Sequence, residues 1–139
     1  MLLIQNSYLI DPASGTEGRR DILIDHGRFV KIDKHLMAPA GASVLDASGM
    51  IVCPGLIDTH SHFRDPGFTY KEDLSTGAQS AVKGGYTSVV LMANTKPPVD
   101  SPEILNDILE RGRTLPVRLY SCANVTKGMA GRELNLSLI

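Results

Sequence analysis

Cysteine is scarce in this chain, and that scarcity removes a disulfide framework from consideration. Only Cys53 and Cys122 occur. Two thiols so far apart, without a targeting segment, suggest a reduced cytoplasmic protein in which each is a small buried side chain. Charge imbalance is also lacking. The formal net charge of −1 over 139 residues argues against a nucleic-acid surface and gives no reason to expect an anionic membrane as partner. No apolar run is long enough to span a bilayer, and the N-terminus has neither a basic region nor a long apolar stretch of the kind a signal peptide needs. Two common chemistries are missing as well. There is no Gly-x-Ser-x-Gly elbow, and the glycines at Gly84-Gly85 and Gly128 to Gly131 do not form a phosphate loop. What remains, 42% hydrophobic and 21% charged residues, is the composition of a globular protein with a real core.

The first fifty residues read as β-rich. Leu2 to Ile4, Ser7 to Ile10, Asp21 to Ile24 and Arg28 to Ile32 are short apolar or alternating runs. Turn residues at Asp11-Pro12, Ser14-Gly15 and His26-Gly27 separate them. Val44 to Asp46 and Met50 to Val52 extend the pattern into a small sheet or half-sandwich. His26 and His35 lie here without ligand-like neighbours and read as surface histidines.

Pro54-Gly55 marks a change of pattern. Leu56 to His60 reads as a buried strand. Leu74, Gly77, Ala78, Ala81 and Val82 then form a helical stripe that stops at Gly84-Gly85. Tyr86 to Met92 is an apolar, β-branched strand of the covered parallel type. Ser101-Pro102 opens a second helix with Ile104, Leu105, Ile108 and Leu109 on its apolar face. Val117 to Cys122 is a third strand. The order β-α-β-α-β predicts a parallel sheet with right-handed crossovers. The expected fold class is therefore α/β, with a small β domain over residues 1–53 and barrel-type units over 54–139. A closed (β/α)8 barrel needs roughly 200 residues or more, so the chain is expected to be a truncated portion of one.

Chemistry concentrates at Asp58-Thr59-His60-Ser61-His62. Residues two apart in a strand share a face, so His60 and His62 can present two imidazoles to one metal ion. Asp58 is a candidate acceptor for a ring N–H of a ligating histidine. Taken bare, His-x-His is a weak signal; the C-terminal end of a parallel strand strengthens it. Arg64 follows, on a loop shaped by Pro66-Gly67, where a guanidinium can grip a carboxylate in bidentate fashion or make an ordinary surface ion pair. Asn94 lies just past the second strand and can donate and accept hydrogen bonds, or simply form a turn. Lys96 reads as solvated.

The run Gly49 to His62 strongly resembles the amidohydrolase superfamily. Phe63-Arg64-Asp65-Pro66-Gly67, Lys71-Glu72-Asp73, Gly77, Gly84-Gly85-Tyr86-Thr87 and Asn94-Thr95-Lys96-Pro97 look like its dihydroorotase branch, of the long bacterial type. The resemblance covers nearly the whole chain. It implies a small β domain beside a metal-bearing barrel. It also implies a zinc pair with His60 and His62 on the more buried ion, and a substrate, dihydroorotate or carbamoyl aspartate, held by Arg64 and Asn94. Ala93 departs from the proline often found at that position, which is expected to alter loop stiffness more than chemistry. By the same resemblance, a bridging carboxylate, two further histidines and the catalytic aspartate come from later strands, beyond Ile139, so no catalytic residue is expected within the chain. A homodimer or a carbamoyltransferase partner is open to it by family analogy. Two other readings stand beside this one: an allantoinase- or hydantoinase-like cyclic amidase, and a non-catalytic truncated assembly module.

Overall fold

The structure is a computed structural model that describes residues 1–138. It divides into two compact units, Met1–Pro54 and Gly55–Ile139.

The first unit is one mixed sheet of five strands: β1 Leu2–Asp11, β2 Thr16–Asp25, β3 Arg28–Asp33, β4 Ser43–Asp46 and β5 Ile51–Val52. Strands β3, β2 and β1 are antiparallel neighbours, while β4 and β5 both pair with β1 in parallel. The two runs expected at Leu2 to Ile4 and Ser7 to Ile10 are one strand. The polar Gln5-Asn6 between them is a bulge, where the β1–β2 register shifts and Asn6 takes a φ of 62°. Buried Asp21 anchors that bulge by accepting the Asn6 backbone N–H at 2.9 Å, and its other oxygen takes the Leu36 N–H at 2.8 Å. Leu3, Leu9, Ile22 and Ala47 form the buried apolar centre. His26-Gly27 turns β2 into β3 with both residues at positive φ, as a tight hairpin requires. His26 and His35 are exposed. Neither cysteine is the buried side chain expected of it. Cys53 is exposed and Cys122 only half-buried. Cys53 follows the two-residue strand β5, too short to carry it under the apolar centre.

The second unit runs β6 Leu56–Ser61, α1 Leu74–Lys83, β7 Tyr86–Leu91, α2 Pro102–Gly112 and β8 Arg118–Ser121, with a parallel sheet in the order β6-β7-β8. Helix α1 starts at a capping box: the Asp73 carboxylate accepts the Thr76 N–H at 2.8 Å, and the Thr76 hydroxyl reaches back to the Asp73 N–H. Helix α2 starts at Ser101 with Pro102 in its first turn. The two helices bury Leu74, Gly77, Ala78 and Ile108 against Val89, Leu91 and Val117, with Phe63, Ala93 and Val99 completing the core. Each large apolar side chain in that set contributes about 1.5–3 kcal/mol by leaving water. Gly77 is packed so tightly that a Cβ there would stand 2.7 Å from the Phe63 ring.

Strand β6 is not buried, contrary to its composition: Leu56 is 48% and Ile57 63% exposed. It is the edge of the three-stranded sheet, and its apolar run suits a strand covered on both faces. After β8 the chain forms single turns of 3-10 helix at Lys127–Met129 and Leu136–Leu138 with one isolated bridge, Thr126 to Leu134. No described helix is long and apolar enough to cross a membrane.

Candidate metal and substrate site at the strand ends

The parallel ladder brings the C-terminal ends of the three strands level. The Met92 N–H donates to the Ser61 carbonyl at 2.9 Å, and the Cys122 N–H donates to the Leu91 carbonyl at 2.8 Å. His62 is the first residue past β6, and Asn94 lies three past the end of β7. The same locking therefore sets them side by side, with Nδ1 of His62 2.9 Å from Oδ1 of Asn94.

His60 stands next to His62, with ring centroids 5.1 Å apart and planes inclined by 62°. Two imidazoles sharing one tetrahedral zinc, each with Zn–N of about 2.0–2.1 Å, hold their centroids about 5 Å apart. The pair present thus fits one divalent ion by spacing and by donor chemistry. The described residues contain no group of three or more His, Cys, Asp or Glu side chains arranged around such an ion, so these rings are only part of a coordination sphere. The β6–β7 register shifts between Asp58 and Ser61, an irregularity of the kind that re-aims side chains beside a site. The Asp58 carboxylate serves that irregularity. It accepts the His60 backbone N–H at 2.9 Å, rather than the ring N–H of a histidine that its spacing suggested.

Arg64 is half-buried and has a φ of 65°, uncommon for a side chain of its size. Its neighbours explain how it stays there. On one side Phe63 is buried against Gly77. On the other, Asp65, only 3% exposed, takes two bonds from the Arg111 guanidinium of α2, at 2.9 and 2.5 Å, and one from the Leu74 N–H at 3.2 Å. Arg111 also reaches Asp107 at 3.3 Å. Carboxylate contact holds the Arg111 guanidinium above its ordinary pKa, chiefly through Asp65. Arg64 itself takes no part in the ion pairs that engage Arg111 and Arg113.

The loop then folds onto the one that carries Asn94. The Lys96 N–H donates to the Pro66 carbonyl at 3.0 Å, and a Cβ on Gly67 would lie 1.9 Å from the Lys96 carbonyl oxygen. With its φ of 93°, Gly67 is a position only glycine fills without strain. Beyond Asn94 the loop closes on itself, Val99 N–H to Ala93 carbonyl at 3.1 Å and Thr95 hydroxyl to Pro97 carbonyl at 2.7 Å. Lys96 is exposed.

The structure therefore joins His60, His62 and Asn94 in one cluster and sets Arg64 on a loop stapled to Asn94's own. A separate groove of about 430 Å³ runs between β6 and α1. His62 and Asp58 line it but His60, Arg64 and Asn94 do not, so it is not the shared site. Sequence reasoning missed the Asp65–Arg111 pair, whose partners lie 46 residues apart.

Residues 51–126 match the model of the amidohydrolase family. The chain is 46% identical over 134 residues to a dihydroorotase of Aquifex aeolicus, covering 96% of this chain and 32% of that protein. It is 48% identical, with the same coverage, to a dihydroorotase of Clostridium acetobutylicum. It thus spans about a third of the length of the curated relatives it matches. Among solved structures, the L-hydantoinase (dihydropyrimidinase) of Arthrobacter aurescens superposes with a TM-score of 0.81 at 24% identity, over 99% of this chain and 29% of that one. The dihydropyrimidinase of Brevibacillus agri gives 0.68 at 27% identity, over 89% and 27%. The fold is the opening portion of that α/β barrel architecture.

Proposed function

The chain belongs to the amidohydrolase family, and from that premise we propose that it is the N-terminal third of a zinc-dependent cyclic amide hydrolase of the dihydroorotase type. The reaction proposed is the interconversion of N-carbamoyl-L-aspartate and (S)-dihydroorotate in pyrimidine biosynthesis. The observation that carries this reading is the cluster itself: two imidazoles at the spacing of one shared ion, with Asn94 in contact and Arg64 on the adjoining loop.

In this reading His60 and His62 hold one ion of a metal pair. When bound, such a pair acts as a Lewis acid toward the amide carbonyl and the attacking water. The chain's own residues do the rest of the work assigned to them by orientation. The Arg64 guanidinium takes the ring carboxylate through two parallel N–H bonds. The Asn94 amide nitrogen donates to the same carboxylate. The Asp65–Arg111 pair keeps Arg64 from drifting, and positioning of this kind is worth several kcal/mol of barrier. Arg64 also separates this substrate from hydantoins and dihydropyrimidines, whose rings lack that carboxylate. The structural likeness to hydantoinases keeps a second reading in view, a cyclic amidase for uncharged rings, and Arg64 is the residue that decides between them.

The test joins this chain to the remaining two thirds of the Aquifex aeolicus dihydroorotase and assays both ring classes. The chimera should hydrolyse dihydroorotate, and Arg64→Ala should cost about 100-fold in kcat/KM, as loss of charged hydrogen bonds worth up to about 3 kcal/mol implies. Preference for dihydrouracil or hydantoin, or indifference to Arg64→Ala, would overturn the proposal. The isolated 139-residue chain should show little turnover at saturating zinc, since two histidines are half of a tetrahedral set.

A further inference from the structure

We infer that Asn94 is a positioning residue for His62, fixing through its amide oxygen which ring nitrogen is free to bind metal. The inference rests on the metal reading above and gives Asn94 a second task beside holding substrate.

A neutral imidazole carries one N–H, and only its other nitrogen can ligate a metal. An amide oxygen accepts hydrogen bonds and cannot donate them. The 2.9 Å contact between His62 Nδ1 and Asn94 Oδ1 is therefore a hydrogen bond only when Nδ1 holds the proton. That tautomer leaves Nε2 as the sole lone-pair donor of the ring. Ligating histidines usually have such an acceptor on their second nitrogen, and it is commonly a carboxylate, carbonyl or water. Here the two carboxylates near it in sequence are engaged elsewhere, Asp58 with the His60 main chain and Asp65 with Arg111 and the Leu74 N–H. The acceptor comes instead from the neighbouring strand's loop, delivered by the Ser61–Met92 and Pro66–Lys96 hydrogen bonds. Because the amide is planar, its oxygen on His62 leaves its nitrogen as the only part of the group with donors to offer a substrate anion. Metal ligand and substrate are thus addressed by opposite ends of one rigid group.

The experiment uses the metal-free 139-residue chain with ¹⁵N-labelled histidine, at about pH 8, above the ordinary imidazole range. Long-range ¹H–¹⁵N correlation reads the tautomer, and a His62→Gln spectrum assigns the signals. Wild-type His62 should be predominantly Nδ1–H. Asn94→Ala should relax it toward Nε2–H and weaken zinc binding, measured against a chelating dye, by about 10–100-fold. Asn94→Asp should restore both the Nδ1–H form and zinc affinity, because a carboxylate accepts the same bond. A wild-type ring in the Nε2–H form, or a tautomer unmoved by Asn94→Ala, would overturn the inference. If the tautomers behave as stated but zinc binding to the chimera is unchanged by His60→Gln and by His62→Gln, the metal reading fails and the positioning of the ring stands.

Discussion

Both units of the chain bury one aspartate, and they use it differently. Asp21 is 4% exposed and Asp65 3% exposed. Asp21 is satisfied by main-chain N–H groups of Asn6 and Leu36, so its charge serves a bulge and a connection in the sheet. Asp65 is satisfied by one main-chain N–H and a guanidinium from another helix, and the residue before it is Arg64. The same device, a carboxylate spending its lone pairs on the fold, enters the proposed site only where it pins the loop that bears Arg64. Burial alone does not mark function; what the pinned backbone carries does.

The contrast can be broken by substitution. The largest effect is expected from Arg111→Met, which strands the Asp65 charge. Losing one partner of a fully buried pair costs about 3–5 kcal/mol; with Arg111 half in water, about 2–4 kcal/mol is expected after screening. Hydrogen exchange should show the loss in residues of the α/β unit alone, and in the chimeric enzyme the KM for dihydroorotate should rise more than that for a ring without a carboxylate. Equal protection changes in both units would remove the distinction drawn above. Next, Asp21→Asn replaces one acceptor oxygen by a donor that meets an N–H, at a cost of about 1–3 kcal/mol. Its effect should be confined to the β unit's exchange, with substrate KM unchanged.

The smallest effect is a pH dependence. The Thr76 N–H at the start of α1 holds the Asp73 carboxyl below its ordinary value of 3.8. A folded-state pKa below the unfolded one gives stability that is present above the ordinary value and lost as pH falls through the lowered one. Acid melting of α1, followed by exchange or circular dichroism, should therefore begin below the ordinary carboxylate range and be blunted by Asp73→Asn, which still caps. Asp33 and Asp46, lowered chiefly by hydrogen bonds from the Lys34 backbone and the Asn6 side chain, give the β unit a trend of the same sign that Asp73→Asn leaves intact.

Much of this was legible from the sequence. The two helices, the stop at Gly84-Gly85 and the start at Ser101-Pro102 lie where local pattern puts them, because each is decided within a few residues; Val82, expected on the buried stripe of α1, is exposed in its last turn. His60, His62 and Asn94 meet because strand ends in a parallel sheet are level, a rule of topology. Other features have no local signature. Gln5-Asn6 looks like a break until a buried carboxylate across the sheet is known to hold a bulge there. The first half of β2, Thr16 to Arg20, is polar because half of it faces solvent, and so it hid a strand. Asp65 and Arg111 are joined only by packing of α2 against the rest of its unit. The exposure of β6 depends on what covers it, which its own residues do not encode.

The hydrogen bond from Lys96 to Pro66, with Gly67 pressed on the Lys96 carbonyl, makes the first two rim loops a single mechanical part. In the proposed site, an anion that pulled on the Arg64 guanidinium would also turn the Asn94 carboxamide. Drift in one loop during evolution is then tolerated only with an answering change in the other, so altered selectivity should arise through paired replacements across the two segments rather than through lone ones.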